Sequence, residues 1–182
     1  EVDERMTAQG ETLVPPNEAS AKQDMARAYA AGFRSVAILL MHGYRYTSHE
    51  RRLAEIAKEI GFPQISVSHD VSPLMKLVSR GDTTVVDAYL SPILRRYVDR
   101  VADQIGNKTT RLMFMQSNGG LTDAQRFQGK DSILSGPAGG IVGAVETARQ
   151  AGFERIIGFD MGGTSTDVSH YNGQFERTYE AQ

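Results

Sequence analysis

The stretch from Ile156 to Ser169 constrains the fold more than any other part of the chain. An apolar strand ends in the carboxylate of Asp160, glycines and hydroxyl residues follow, and a second carboxylate, Asp167, precedes another apolar stretch. Glycine permits positive φ and close approach of the backbone, and the exposed N–H groups of such a turn form a nest for an anion. The string therefore predicts a strand–turn–strand unit whose turn binds phosphate.

Glycines and hydroxyls between the two carboxylates are the predicted phosphate contacts: Gly162, Gly163, Thr164 and Thr166. Asp160 and Asp167 would repel phosphate unless a divalent cation lies between, so the pattern predicts Mg²⁺ held largely through water. An alternative role for Asp160 is to orient an attacking water or hydroxyl. The alternative is a tight turn with an Asp–Thr hydrogen bond, and the length of the whole string favours phosphate binding over it.

Apolar periodicity elsewhere alternates between helical and strand patterns, which predicts an α/β fold with parallel strands. Helices are expected to begin near Glu18 (capped by Asn17), Ser48, Asp82 and Pro137, with a kink or a division of the third at Pro92. Strands are expected over 35–41, 64–68, 111–116, 132–135 and 155–160. The Asn172-Gly173 pair predicts a further hairpin between strands at 168–171 and 174–179.

Composition excludes several classes of function. The chain of 182 residues has no cysteine, which excludes disulfides, thiolate zinc sites and cysteine nucleophiles. The net charge of −2 argues against a nucleic-acid binder, which carries a basic face. The longest apolar run, Val36 to Met41, is far below the roughly 20 residues of a membrane helix. No Gly-x-Ser-x-Gly elbow is present, which disfavours a serine hydrolase.

Two histidines and one turn are weaker candidates for a substrate site. His42 and His69 each follow a predicted strand, where ligands gather in α/β sheets. A hydrogen-bonded structural histidine is the favoured alternative for both. Ser117 and Asn118 also follow a strand and offer hydroxyl and amide groups to a ligand, and a plain turn explains them equally well.

Six motifs carry a resemblance to a known family. In the order in which they stand, they are Met41-His42-Gly43-Tyr44, His69-Asp70-Val71-Ser72-Pro73, Asp87-Ala88-Tyr89-Leu90, Gln116-Ser117-Asn118-Gly119-Gly120-Leu121, Leu134-Ser135-Gly136-Pro137-Ala138-Gly139-Gly140 and the string from Phe159 to Ser169. The chain resembles the hydantoinase A / 5-oxoprolinase family. Within the wider superfamily of actin, heat-shock chaperones and hexokinase, 156–169 resembles the second phosphate-binding hairpin, and 135–144 resembles the small-residue connecting helix before it.

The resemblance implies a fragment of the actin-like (ribonuclease H-like) ATPase fold, with a mixed sheet, flanking helices and a terminal β-hairpin. Residues 1–150 would form the end of the first lobe with its connecting helix, and residues 151–182 the opening phosphate-binding hairpin of the second lobe. Family members begin with another Asp-x-Gly-Gly-Thr string, and none precedes residue 155. We therefore expect the isolated chain to be inactive.

The implied activity is ATP-dependent hydrolysis of a cyclic amide, in which a lactam or imide oxygen is phosphorylated before water opens the ring. The implied cofactors are ATP and Mg²⁺, with Asp160 and Asp167 as catalytic residues and Gly136, Gly139 and Gly140 as further nucleotide contacts. Implied partners are a small cyclic amide, a B subunit or domain, and further copies of a cytoplasmic parent, without nucleic acid or membrane. The alternatives are a nucleotide-binding subunit of an acetone or acetophenone carboxylase, a sugar-kinase-like phosphotransferase, and a non-enzymatic nucleotide-gated module.

Overall fold

The computed structural model describes residues 1–106 and 111–176. The chain divides into two compact units. The first comprises Glu1–Asp99 with Gln128–Lys130, and the second comprises Arg100–Phe127 with Asp131–Gln182. The boundary predicted at residue 150 separates two lobes of a longer protein, not these two units, and it stays a prediction.

Helices and strands alternate in the first unit, which confirms the predicted α/β class. Its elements are β1 (Arg5–Met6), β2 (Thr12–Val14), α1 (Glu18–Ala30), β3 (Ser35–Ile38), α2 (Ser48–Ile60), β4 (Gln64–Val67), α3 (Ser68–Val71) and the start of α4 (Leu77–Ile105). Strands β3 and β4 are parallel, with Ser35 opposite Gln64 and Ile38 opposite Val67. The short pair β1–β2 is antiparallel.

Side chains at the predicted helix ends explain where α1 and α2 begin and stop. The Asn17 carboxamide oxygen accepts a hydrogen bond from Ser20 N at 3.1 Å, so the predicted N-cap of α1 is confirmed. Helix α2 ends at Gly61, whose φ of 105° is the left-handed conformation that favours glycine.

The hydrophobic core of the first unit lies between α1, α2 and the parallel strands. It consists of Ala21, Ile38, Leu53, Ile56 and Val67. Leu53 and Ile56 are each 1% exposed, on the face of α2 that the helical period predicts. The two helices therefore cover one face of the β3–β4 pair.

Helix α4 begins earlier than expected. The sequence predicted a start at Asp82, but the helix starts at Leu77 and carries Gly81 inside it. A Cβ at Gly81 would lie 2.7 Å from Leu39 Cδ2, so glycine here allows the helix to approach the end of β3. The helix also continues through Pro92 as a single element, so the division does not occur, and the alternative, a kink at Pro92, stays a prediction.

A buried polar network joins the loops that follow β3 and β4. The carboxylate of Glu50, which is fully buried, accepts hydrogen bonds from Leu40 N at 2.8 Å and Ser68 Oγ at 2.6 Å. Ser68 Oγ in turn accepts from Arg80 Nε at 3.0 Å. Gly43 gives the carboxylate its space, since a Cβ there would lie 2.1 Å from Glu50 Oε1.

The buried guanidinium of Arg80 completes this network by donating to backbone carbonyls. Its acceptors are the carbonyls of Leu40, Met41, Leu74 and Met75. Burial lowers the pKa of the Arg80 guanidinium, and the Glu50 carboxylate opposes that shift. The network thus fixes the chain at the carboxyl ends of β3 and β4.

The second unit is built around two hairpins and a helix. Its elements are the end of α4, β5 (Met113–Met115), β6 (Leu121–Asp123), a 3₁₀ turn (Ala124–Arg126), α5 (Gly129–Ser132, which begins in the first unit), α6 (Ser135–Gln150), β7 (Arg155–Met161) and β8 (Thr166–Asn172). Both pairs, β5–β6 and β7–β8, are antiparallel. Across the described residues the strands form four two-stranded sheets, not one mixed sheet.

The predicted strand at 132–135 is wrong. Ser132 ends α5 and Ser135 begins α6. Local bonds replace strand pairing, because Ser135 Oγ donates to Ser132 O at 3.0 Å and Leu134 N donates to Ser117 Oγ at 2.9 Å. The strand was predicted from the apolar pair Ile133-Leu134, and both side chains are exposed.

The β-hairpin predicted from Asn172-Gly173 is also wrong in its described part. Strand β8 ends at Asn172, and residues 173–176 form no strand. The remainder of that predicted strand, 177–179, lies outside the described residues. The hairpin that does form joins β7 to β8 through 162–165, where Gly162 N donates to Ser165 O at 2.9 Å.

Among the helices of the described residues, none combines the length and apolar character that crossing a membrane requires.

Truncation of the first core should destabilise that unit. We expect Leu53→Ala to lower the free energy of unfolding by about 2–5 kcal/mol, because it removes buried methyl groups and leaves a cavity. Leu13→Ala is the control, since that side chain is 57% exposed. Urea unfolding followed by circular dichroism measures both, and equal midpoints would contradict the assignment of the core.

Candidate functional site

The predicted phosphate-binding string folds as the hairpin β7–β8, and its two carboxylates face each other. Asp160 and Asp167 are opposite in the register, and Gly158 and Ser169 form the next pair on the same side of the hairpin. Since alternate residues point to one face, both pairs lie on one side. The sequence prediction that Asp160 and Asp167 act at one place is thus consistent with the geometry.

Helix α6 packs against this side of the hairpin. Gly140 lies near the first carboxylate, since a Cβ there would be 4.0 Å from Asp160 Oδ2. A cleft of about 380 Å³ lies between the helix and the strands. Its lining includes small helix residues and both carboxylates: Pro137, Gly140, Ile141, Ala144, Gly158, Phe159, Asp160, Asp167, Val168 and Ser169.

Two like charges directly across an antiparallel pair repel each other. Both Asp160 and Asp167 are exposed, so water lowers this repulsion without cancelling it. Among the described residues no group of three or more histidine, cysteine or acidic side chains could hold a metal by itself. Two carboxylates suit Mg²⁺, which commonly keeps water and phosphate oxygens as its remaining ligands.

The turn at 162–165 presents its backbone and hydroxyls to solvent. Gly162 N is used within the turn, whereas a Cβ at Gly163 would meet no atom within 4 Å. Thr164 and Thr166 are exposed. The turn therefore has open space at Gly163 and free access to both hydroxyls, as a contact with an anion requires.

Ser169 is a cleft residue that sequence reasoning missed. A Cβ at Gly158 would lie 2.5 Å from Ser169 Oγ, so the missing side chain of Gly158 makes room for this hydroxyl. The available signal was a glycine within an apolar strand, which often marks a close approach. Ser169 Oγ lies on the same side of the hairpin as the carboxylates.

The other predicted nucleotide contacts lie in the first turns of α6. Gly140 lines the cleft, whereas Gly136 and Gly139 do not. A Cβ at Gly139 would lie 3.6 Å from Met115 Cγ, which places this glycine against β5. Nucleotide contacts at Gly136 and Gly139 stay predictions.

Ser117 and Asn118 have internal partners. Ser117 Oγ donates to Asp131 O at 2.8 Å and accepts from Leu134 N. Asn118 Oδ1 accepts from Gly120 N at 2.8 Å. The bond of Asn118 lies within the turn between β5 and β6, whereas those of Ser117 join this turn to the segment around α5. Contact with substrate stays a prediction for both residues.

The histidine candidates belong to the first unit. His42 stands in the turn after β3, and its ring lies 6.5 Å from the ring of Tyr44. His69 lies in α3, which follows β4 directly, and its Nδ1 lies 2.7 Å from Glu50 Oε2. A role in substrate binding stays a prediction for His42 and His69.

Comparison with known proteins places the whole chain within one group. Residues 80–182 match the family profile described as Hydantoinase/oxoprolinase, and residues 1–61 match its N-terminal region. Over 168 residues the chain is 44% identical to a 5-oxoprolinase of Saccharomyces cerevisiae. This alignment covers 91% of the chain and 13% of the yeast protein.

Two solved structures share the fold. A nucleotide-free acetone carboxylase, studied for ATP-dependent acetone carboxylation, matches with a TM-score of 0.82 and 27% identity over 96% of this chain and 26% of its own. The ATP-dependent caprolactamase from Pseudomonas jessenii matches with a TM-score of 0.81 and 31% identity. The match covers 93% of this chain and 25% of the caprolactamase chain. The chain thus spans about a quarter of these structures and about an eighth of the yeast relative.

Removal of one charge should stabilise the hairpin when no divalent cation is present. We expect Asp167→Asn to increase the opening free energy of β7–β8 by about 0.2–1 kcal/mol in EDTA, because it removes the repulsion from Asp160. Hydrogen exchange of the strand amides measures this local stability. Glu154→Gln is the control for an equal change in charge outside the strands, and equal protection in both variants would contradict the repulsion.

The space above Gly158 should show coupling to Ser169. We expect Gly158→Ala to destabilise the hairpin by about 1–3 kcal/mol through overpacking. The cost should fall in a Ser169→Ala background, because the clashing Oγ is gone. Gly163→Ala is the matched control, since its Cβ meets open space. Additive effects in the double variant, measured by the same exchange experiment, would exclude this contact.

Proposed function

The chain belongs to the hydantoinase/oxoprolinase family, and we propose that its parent protein is an ATP-dependent hydrolase of cyclic amides. In this proposal the chain supplies a phosphate-binding hairpin, β7–β8, and the helix α6 that covers it. One observation carries the proposal: Asp160 and Asp167 stand opposite each other beside a glycine turn in a cleft of about 380 Å³.

The relatives' names support the class of substrate. Both 5-oxoprolinase and caprolactamase act, by name, on a lactam, and the caprolactamase is described as ATP-dependent. A lactam nitrogen is a poor leaving group, and phosphorylation of the lactam oxygen would make the carbonyl carbon open to water. Coupling to ATP thus gives a reason for a phosphate-binding hairpin in an amide hydrolase.

Each group of the hairpin has a separate task in the proposed site. The carboxylates of Asp160 and Asp167 would hold Mg²⁺ through its water shell. Bound Mg²⁺ neutralises phosphate charge, which is the main demand of phosphoryl transfer. The N–H of Gly163 and the hydroxyls of Thr164 and Thr166 would donate to phosphate oxygens. Gly140, which has no side chain, would leave space in the cleft for a phosphate chain.

The wider organisation is part of the same proposal. Residues 1–150 would close the first lobe and residues 151–182 would open the second. The substrate groups and the remaining nucleotide contacts would come from the rest of the parent, from a B subunit or domain, or from another copy. We place the parent in the cytoplasm, where ATP is supplied.

A second candidate function has a specific observation in its favour. The acetone carboxylase structure shares the fold with a TM-score of 0.82, and that enzyme carries out ATP-dependent acetone carboxylation. In this alternative the hairpin has the same task, and the phosphorylated group is a ketone-derived or bicarbonate oxygen. The substrate of the parent therefore discriminates between the two functions.

The full-length parent should hydrolyse ATP only when a cyclic amide is present. We expect ADP release to rise with 5-oxoproline or a hydantoin and to fall at least 100-fold in Asp160→Asn, as typical for loss of a charge-organising group. Glu154→Gln should keep the activity of the unaltered protein. Coupled assay of ADP and chromatography of the opened ring measure the two products.

Three outcomes would contradict the proposal in different ways. Stimulation by acetone with bicarbonate, and not by a cyclic amide, would establish the carboxylase alternative. Phosphorylation of a sugar hydroxyl would indicate a kinase. Unchanged calorimetric binding of Mg²⁺-ATP in Asp160→Asn would exclude the hairpin as the nucleotide site.

A further inference from the structure

One hydroxyl group ties the segment before helix α6 to the end of strand β5. Ser117 Oγ donates to Asp131 O at 2.8 Å and accepts from Leu134 N at 2.9 Å. Ser117 N also donates to Asp131 O, at 2.7 Å. Helix α6 begins at the next residue, Ser135. The helix is therefore anchored from outside, directly beside its start.

The start of α6 lacks the usual means of fixing a helix terminus. Leu134 occupies the N-cap position and makes no capping bond with its side chain. A side-chain cap normally satisfies one of the first N–H groups and so defines where a helix begins. Ile133 and Leu134 are 51% and 59% exposed, so burial of these side chains contributes little to holding the segment. The hydroxyl of Ser117 takes over this task through Leu134 N.

The composition of α6 increases its dependence on the anchor. Four glycines stand in the N-terminal part of the helix: Gly136, Gly139, Gly140 and Gly143. Glycine is a poor helix former, because it loses more conformational freedom on folding than any other residue. Local propensity therefore favours fraying of the first turns, and contacts outside the helix decide their position.

The same turns form one wall of the cleft at the hairpin. Pro137, Gly140 and Ile141 line it together with Asp160 and Asp167. Helix α6 contacts β5 as well as β7 and β8, all within the second unit. A displacement of the helix start would therefore change the width of the cleft beside the two carboxylates.

We propose that Ser117 is a positioning residue of the nucleotide site. Its hydroxyl holds the first turns of α6 at the distance from Asp160 that a bound phosphate chain requires. This inference rests on the proposed function of the hairpin. Ser117 acts through α6 and touches no ligand, whereas the sequence prediction gives it a direct contact with substrate. The two roles differ in the ligand whose binding they affect.

Calorimetric titration of Mg²⁺-ATP into the full-length parent tests the positioning role. We expect Ser117→Ala to weaken binding about tenfold, because the unanchored helix spends less time in the position that binds nucleotide. At saturating Mg²⁺-ATP, ADP release should stay within about twofold of the unaltered protein, since bound nucleotide restores the position of the helix. The KM for the stimulating cyclic amide, 5-oxoproline or a hydantoin, should not change.

Three further variants isolate the hydroxyl. Ser117→Thr keeps a hydroxyl and should bind Mg²⁺-ATP like the unaltered protein, whereas Ser117→Cys, whose thiol is a weak donor and acceptor, should show a smaller loss than Ser117→Ala. Thr147→Ala is the matched control, because it removes a hydroxyl bond to Gly143 O in a later turn of the same helix. It should leave the affinity unchanged.

Hydrogen exchange of the nucleotide-free parent, followed by mass spectrometry, reports the anchor without any ligand. Peptides covering residues 133–141 should exchange faster in Ser117→Ala than in Thr147→Ala, because the first turns of α6 open more often. Equal exchange in the two variants would contradict the anchor.

The binding data separate failure of this inference from failure of the proposed function. Unchanged Mg²⁺-ATP affinity in Ser117→Ala, with a raised KM for the cyclic amide, would replace the positioning role with a substrate contact. Equal losses in Ser117→Ala, Ser117→Thr and Thr147→Ala would exclude a specific role for this hydroxyl. In both cases, loss of binding in Asp160→Asn would still support the nucleotide site. Unchanged binding in Asp160→Asn would overturn the site and this inference together.

Discussion

The first unit depends on the burial of one charged carboxylate. Glu50 accepts bonds from the backbone after β3, from the hydroxyl at the end of β4 and from the ring of His69. Arg80 shares Ser68 with it and ties down four carbonyls. Since removal of one partner from such a network costs about 3–5 kcal/mol, the two loops and the start of α4 form as one unit or not at all.

The second unit uses its carboxylates in the opposite way. Its hairpin directs Asp160 and Asp167 toward α6, and Tyr171, on the same side of the hairpin, is buried. Ile157 and Met161 are exposed on the other face. The helix-facing side therefore combines apolar burial at one end with two solvated carboxylates at the other.

Local patterns were enough to predict the parts that depend on neighbours in sequence. The cap at Asn17, the parallel order of β3 and β4, and the strand that delivers Asp160 all follow from spacing and residue type. Glu50 could not be found in this way, because a glutamate on an amphipathic helix looks like a surface residue until Gly43 and Ser68 surround it. The predictions of the start of α4 and of a strand at 132–135 were wrong for the same reason, since tertiary contacts decide the conformation there.

The number of hydrogen-bond donors around each carboxylate differs between Glu50 and the two acids of the proposed site. Glu50 has a protein donor for each of its lone-pair directions, so a cation would find no free oxygen there. Asp160 and Asp167 accept no hydrogen bond from the described part of the chain, and they face each other. A pair of unsatisfied like charges is stable only at a solvated surface, and it gains most from a cation that neutralises both. These open, facing carboxylates are therefore the ones that the proposed Mg²⁺ site uses.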